Sequence, residues 1–87
     1  MNDKNISDSV EKRVRDVIVR TFHINVDDNQ AREFKMGDRP EWDSLGHMQL
    51  VVELEKEFGL RFPSYLLADL ASEKAIIKIV GKELSKK

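Results

Sequence analysis

Hydrophobic positions recur along this 87-residue chain at helical, not strand, spacing. Val10, Val14, Val17, Ile18 and Phe22 fall at i, i+4, i+7, i+8 and i+12. They make one stripe of a helix predicted over about residues 8–22, with Arg13, Arg15, Asp16 and Arg20 off it. Ser7 or Asp8 is placed to cap its start. Its many valines lower intrinsic helix propensity, so packing has to hold it. A second helix is predicted from Ser44 to about Phe58, with Asp43 as N-cap and Gly59 as the residue that ends it. Leu50, Val51, Leu54 and Phe58 share one side of this helix, and Leu45, Met48 and Val52 form an adjoining stripe. Gly46, Gln49, Glu53, Lys56 and Glu57 fill the remaining polar arc. So wide an apolar surface suits a central helix buried on two sides. It equally suits a helix with one side on the bundle and the other on a cargo or partner.

After Leu60-Arg61-Phe62, Pro63 suits the first turn of a short helix or turn over residues 64–70, which carries Tyr65, Leu66, Leu67 and Leu70. Ser72 then caps a last helix reaching about Leu84. Ala75 or Ile76, Ile79, Val80 and Leu84 form its apolar stripe, and Lys74, Lys78 and Lys82 its opposite face; Ile77 fits neither. Between the first two helices lies a long connection, residues 25–42, rich in turn chemistry: Asp27-Asp28-Asn29, Gly37-Asp38 and Arg39-Pro40. Phe34, Met36 and Trp42 are its large apolar side chains. Phe34 is expected to anchor it on the core, with a short helical turn nearby, and Trp42 to plug the helix entrance in the manner of a staple residue. The pattern gives an all-α fold, a small four-helix bundle of three long helices and one short, with a long loop between the first and second. Residues 1–87 read as one domain, with 1–6 and 85–87 expected to fray.

Charge and composition narrow the chemistry. The chain has no cysteine, which excludes disulfides, thiolate metal sites and a thiol nucleophile of its own. A net charge of −1 argues neither for nor against nucleic acid. Its distribution is uneven: residues 25–60 hold nine acidic and four basic side chains, residues 61–87 three acidic and six basic. The acidic zone surrounds Ser44, as a solvated surface or as a docking face for basic partners. The Lys74, Lys78 and Lys82 stripe reads as a solvated face, with no nucleic-acid partner. Met1-Asn2-Asp3-Lys4-Asn5 lacks an apolar signal core and no run is long enough to span a bilayer, so a cytoplasmic chain without membrane insertion is the expectation, as a monomer.

The stretch Glu41-Trp42-Asp43-Ser44-Leu45-Gly46-His47-Met48 puts one hydroxyl where a loop ends and a helix begins. The free N–H groups of a first helical turn favour a negative group there, so a phosphate ester on Ser44 would sit in a ready anion site. The plainer reading is that Ser44 only helps to cap the helix. His47 and His23 have no ligand set around them, and no metal is expected. A Ser44–His47–Asp43 hydrolytic triad is disfavoured, because neighbours in one helical turn do not converge as base and orienter must. His47 reads as a half-buried histidine.

Residues 42–63, WDSLGHMQLVVELEKEFGLRFP, resemble the modification-site helix of acyl carrier proteins, small four-helix bundles that carry a 4′-phosphopantetheine arm on the serine of an Asp-Ser-Leu motif. Ser44 matches that serine, and Asp43 and Leu45 its neighbours. The resemblance implies a carrier, not an enzyme: a separate phosphopantetheinyl transferase modifies Ser44, a ligase or acyltransferase loads the arm, and downstream biosynthetic enzymes receive the thioester. It also implies that Asp43, Leu45, Met48, Val52 and Glu55 form the surface partners read. The Trp-Asp-Ser-Leu-Gly-His form is similar to freestanding carriers of dedicated pathways for lipid, polysaccharide or secondary metabolites, and also to D-alanyl carriers. Peptidyl carriers more often show glycine where Trp42 stands. Fatty-acid carriers are often acidic at the positions of Gly46, Gln49 and Lys56, which this chain is not. An aminoacyl carrier and an unmodified helical interaction module, with Ser44 only a cap, remain as alternatives.

Overall fold

In the computed structural model, which describes residues 3–24 and 33–86 and side chains from Val10 onward, the first apolar stripe becomes helix α1, Asp3–Phe22. Val14, Val17 and Ile18 are fully buried, and Val10 and Phe22 nearly so. The start lies five residues earlier than expected. Ile6 stands four residues before Val10, so the helical spacing continues upstream. Ser7 and Asp8 therefore fall inside the helix and not at its cap, and residues 3–6, expected to fray, form its first turn. Residues 1, 2 and 87, also expected to fray, lie outside the described residues. At the other end His23 takes a left-handed backbone, φ 55°, and the Ile24 N–H bonds back to the Val19 carbonyl at 3.1 Å. That is a helix ending usually given to glycine.

Helix α2 spans Ser44–Phe58 and closes on Gly59, whose φ of 64° lets its N–H reach the Glu55 carbonyl. A 3-10 helix, Ser64–Asp69, follows, with Pro63 at its cap position rather than in its first turn. Helix α3 spans Glu73–Ser85, and the Ser72 hydroxyl accepts from the Ala75 N–H at 3.2 Å. Ile76 and Val80 are fully buried; Ile77, Ile79 and Leu84 pack at the edge of the core. Both α2 and α3 pack against α1, so the core forms around α1. The described residues thus form a small, mostly helical arrangement of three α-helices and one 3-10 helix, without a strand. No described helix is long and apolar enough to cross a membrane.

The described part of the long connection is pinned to the start of α3. Phe34 is buried, as an anchor should be, and its carbonyl accepts from the Glu73 N–H at 2.7 Å. Lys35 bridges to Ser72, and the Met36 N–H bonds to the Ala71 carbonyl at 2.9 Å. Phe34 therefore uses its backbone in extended pairing, and residues 33–43 contain hydrogen-bonded turns, 35–38 and 39–42, but no helix; residues 25–32 lie outside the described residues. The pairing is reinforced by Glu73, which is buried. Its carboxylate accepts both oxygens' worth of hydrogen bonds from Arg15 at 2.8 Å and one from the Phe34 N–H at 3.2 Å. The Arg15 guanidinium lies 4.3 Å over the Phe34 ring. One buried carboxylate thus joins α1, the connection and α3.

Candidate functional site at the start of the second helix

Ser44 is the first residue of α2 and is exposed. The residue before it sets the geometry. Asp43 has an extended backbone, its Oδ1 accepts from the Gly46 N–H at 2.9 Å, and its carbonyl accepts from the His47 N–H at 2.8 Å. This is an N-cap with its side chain and main chain both engaged. Ser44 is left out of this capping and is exposed.

The turn is backed by Trp42, which is fully buried. Its N–H bonds to the Arg39 carbonyl at 3.1 Å, and its carbonyl accepts from the Gly37 N–H at 3.2 Å, so residues 37–42 close on themselves. The indole stacks on Phe22, with centroids 5.4 Å apart, and on His47, 6.2 Å apart. Trp42 and His47 are the N′ and N4 positions of α2, the two sites of a hydrophobic staple. Here the staple has a polar component: Trp42 Nε1–H donates to His47 Nδ1 at 2.9 Å.

His47 is buried, more deeply than its position in the sequence predicts. An indole N–H only donates, so Nδ1 carries the lone pair and the proton sits on Nε2. That Nε2–H donates to the Leu67 carbonyl at 2.7 Å. Both ring nitrogens are thereby committed away from Ser44. Gly46, placed by sequence on a polar arc, is buried for a different reason. A β-carbon there would run into the Glu41 carbonyl oxygen and press on the Phe22 ring at 3.1 Å. Only hydrogen at this position lets the loop lie against the first turn.

The outward face of α2 carries the adjoining apolar stripe. Leu45 is 73% exposed, Met48 47% and Val52 44%. With Arg20 and Thr21 at the end of α1, and Gln49 and Glu53, they line an open groove of about 580 Å³. Glu55 lies one turn beyond Val52 and does not line the groove. It is half-buried, and its Oε2 accepts from the Phe62 N–H at 2.9 Å, so it fastens the segment after α2. Of the residues singled out by sequence, Asp43, Ser44, Leu45, Met48 and Val52 run from the helix start along one strip, and Glu55 continues it one turn on with its carboxylate bonded to the Phe62 N–H. Sequence reasoning missed the His47–Leu67 bond and the close approach at Gly46. The single signal for the latter was a glycine in a helical first turn, where a side chain is normally favoured.

An exposed serine at a helix start, flanked by an apolar strip with charged borders, defines the site. No family model matches the chain, and no solved structure matches it.

Proposed function

We propose that this chain is an acyl carrier protein, with Ser44 as the attachment point of a 4′-phosphopantetheine arm. The observation that carries the reading is the exposed Ser44 at the first position of α2, on a turn made rigid by the Asp43 cap and the Trp42–His47 pair. A phosphodiester there meets the positive end of the helix, at an exposed residue. When bound, the arm supplies a thiol on which acyl groups ride as thioesters. The chain's own residues do the rest. Asp43 holds the first turn, Trp42 keeps the turn seated on Phe22, and Leu45, Met48 and Val52 offer partners a small apolar surface.

That surface favours weak, fast exchange, which a carrier moving between a phosphopantetheinyl transferase, a loading ligase or acyltransferase and later enzymes requires. Tethering keeps the cargo at high effective concentration in each complex. Both nitrogens of His47 being occupied, the reaction at Ser44 Oγ falls to the partner enzyme. In this reading acyl groups of lipid, polysaccharide or secondary-metabolite pathways, or an aminoacyl group such as D-alanine, ride on the same arm.

The test is intact mass after incubation with coenzyme A and a broad-specificity transferase. The wild type is expected to gain one phosphopantetheine, mapped to Ser44. Ser44→Ala is expected to keep its helix content by circular dichroism and to gain nothing. An unmodified wild type with several transferases overturns the reading and leaves the interaction module, for which the exposed Leu45, Met48 and Val52 strip is the favouring observation.

A further inference from the structure

With no cysteine in the chain, its sulfur chemistry rests on three methionines, Met1, Met36 and Met48. Met1 lies outside the described residues. The other two are placed differently. Met36 belongs to the connection pinned on α3: its N–H bonds to the Ala71 carbonyl, and its side chain is partly buried against the core. Met48 is 47% exposed on the outer face of α2 and lines the open groove. It stands in the middle of the apolar strip, three residues after Leu45 and four before Val52, so both are its neighbours on the helix surface.

A thioether is apolar and polarisable, and its sulfur is a nucleophile toward hydroperoxides. In that reaction a sulfur lone pair attacks one peroxide oxygen, an S–O bond forms and the O–O bond breaks. With hydrogen peroxide the other oxygen leaves as water, taking the proton from the oxygen transferred to sulfur. Sulfur loses two electrons and the peroxide gains them. The product, methionine sulfoxide, is polar. At Met36 the reagent has to enter packed surroundings. At Met48 the sulfur meets it in water, and no core contact has to change. What changes is the strip, because a sulfoxide oxygen buried in an apolar contact without a donor is unfavourable.

We propose that Met48 is an oxidation site, converted reversibly to the sulfoxide by hydroperoxides, and that this weakens docking on the Leu45, Met48 and Val52 strip without unfolding the chain. The oxidation stands on the placement of Met48 alone. Its consequence for docking rests on the carrier reading above.

The experiment treats the full, unmodified chain with hydrogen peroxide, removes the reagent and maps the added oxygen by peptide mass. Steady-state phosphopantetheinylation by one transferase and melting temperature are then measured. Met48 is expected to oxidise at least about fivefold faster than Met36. The oxidised chain is expected to melt within about 2 °C of the reduced one and to lose about tenfold in kcat/KM, mostly through KM. Incubation with the two methionine sulfoxide reductases, one for each epimer, is expected to restore the rate. Met48→Leu keeps an apolar side chain without sulfur. Its rates before and after peroxide are expected to be equal, whatever their value, which separates Met48 from Met1 and Met36. Preferential oxidation of Met36, an oxidised wild type that reacts as fast as the reduced one, or a Met48→Leu variant that still slows after peroxide overturns the proposal while the carrier reading stands. A reduced wild type that accepts no arm overturns the carrier reading and the docking consequence together.

Discussion

Gly46 and Gly81 are both helical glycines, and their surroundings give them opposite roles. A side chain at 46 meets the Glu41 carbonyl, part of a backbone loop that is itself closed by the Gly37 and Trp42 bonds, so the loop has to move. A side chain at 81, inside α3, meets nothing within 4 Å. Replacing glycine by alanine in a helix gains about 0.5–1 kcal/mol where nothing opposes it. Forcing a methyl group into a filled space costs about 1–3 kcal/mol. Gly81→Ala is therefore expected to raise stability by somewhat under about 1 kcal/mol, and Gly46→Ala to lower it by about 1–2 kcal/mol, the clash exceeding the propensity gain. Urea denaturation of the two variants checks both signs. The sequence alone could not separate these glycines: each is one small residue in a helical pattern, and what distinguishes them is a carbonyl five residues upstream that only the folded loop brings near.

At the scale of elements, the apolar periodicity carried most of the information. The stripes of α1, α2 and α3 are buried where their spacing puts them, and the two apolar sides of α2 divide as one inside face, Leu50, Val51, Leu54 and Phe58, and one outside strip, Leu45, Met48 and Val52. The Asp43 and Ser72 caps and the Gly59 ending were legible too, because each is a local bond between near neighbours. What periodicity did not reveal depends on meetings across the chain. The Arg15–Glu73–Phe34 cluster draws on three separate segments, and an acid at the start of a helix reads as an ordinary dipole partner until Arg15 arrives. Removing Glu73 takes away the carboxylate to which Arg15 and the Phe34 N–H bond. Arg15 retains about a quarter of its side-chain exposure, so water recovers part of the loss. Glu73→Ala is expected to cost about 2–4 kcal/mol by denaturant unfolding and to release the connection around Phe34, read as faster amide exchange at Phe34, Met36 and Glu73. The Arg13–Glu57 pair, exposed on the surface, is expected to contribute under about 1 kcal/mol by the same measurement.

For the whole molecule, the division of labour follows from α1 serving both other long helices. Because α2 and α3 each bury their inner face on α1, the outer strip of α2 is not needed for folding. Truncating Leu45, Met48 and Val52 to serine together is expected to change stability by about 0.5 kcal/mol per site or less. Leu54→Ala alone, fully buried, is expected to cost about 2–5 kcal/mol. Thermal and urea unfolding distinguish the two. The same triple variant is expected to slow modification of Ser44, since the strip is free to serve other molecules.

Trp42 is the chain's one tryptophan, and it lies sealed between Phe22 and His47 directly under the proposed attachment point. Fluorescence excited at the red edge of the indole band, where Tyr65 does not absorb, is therefore light from a single place. Its colour and its quenching by the neighbouring imidazole report whether that turn is shut or open, without any dye and without regard to the remaining helices.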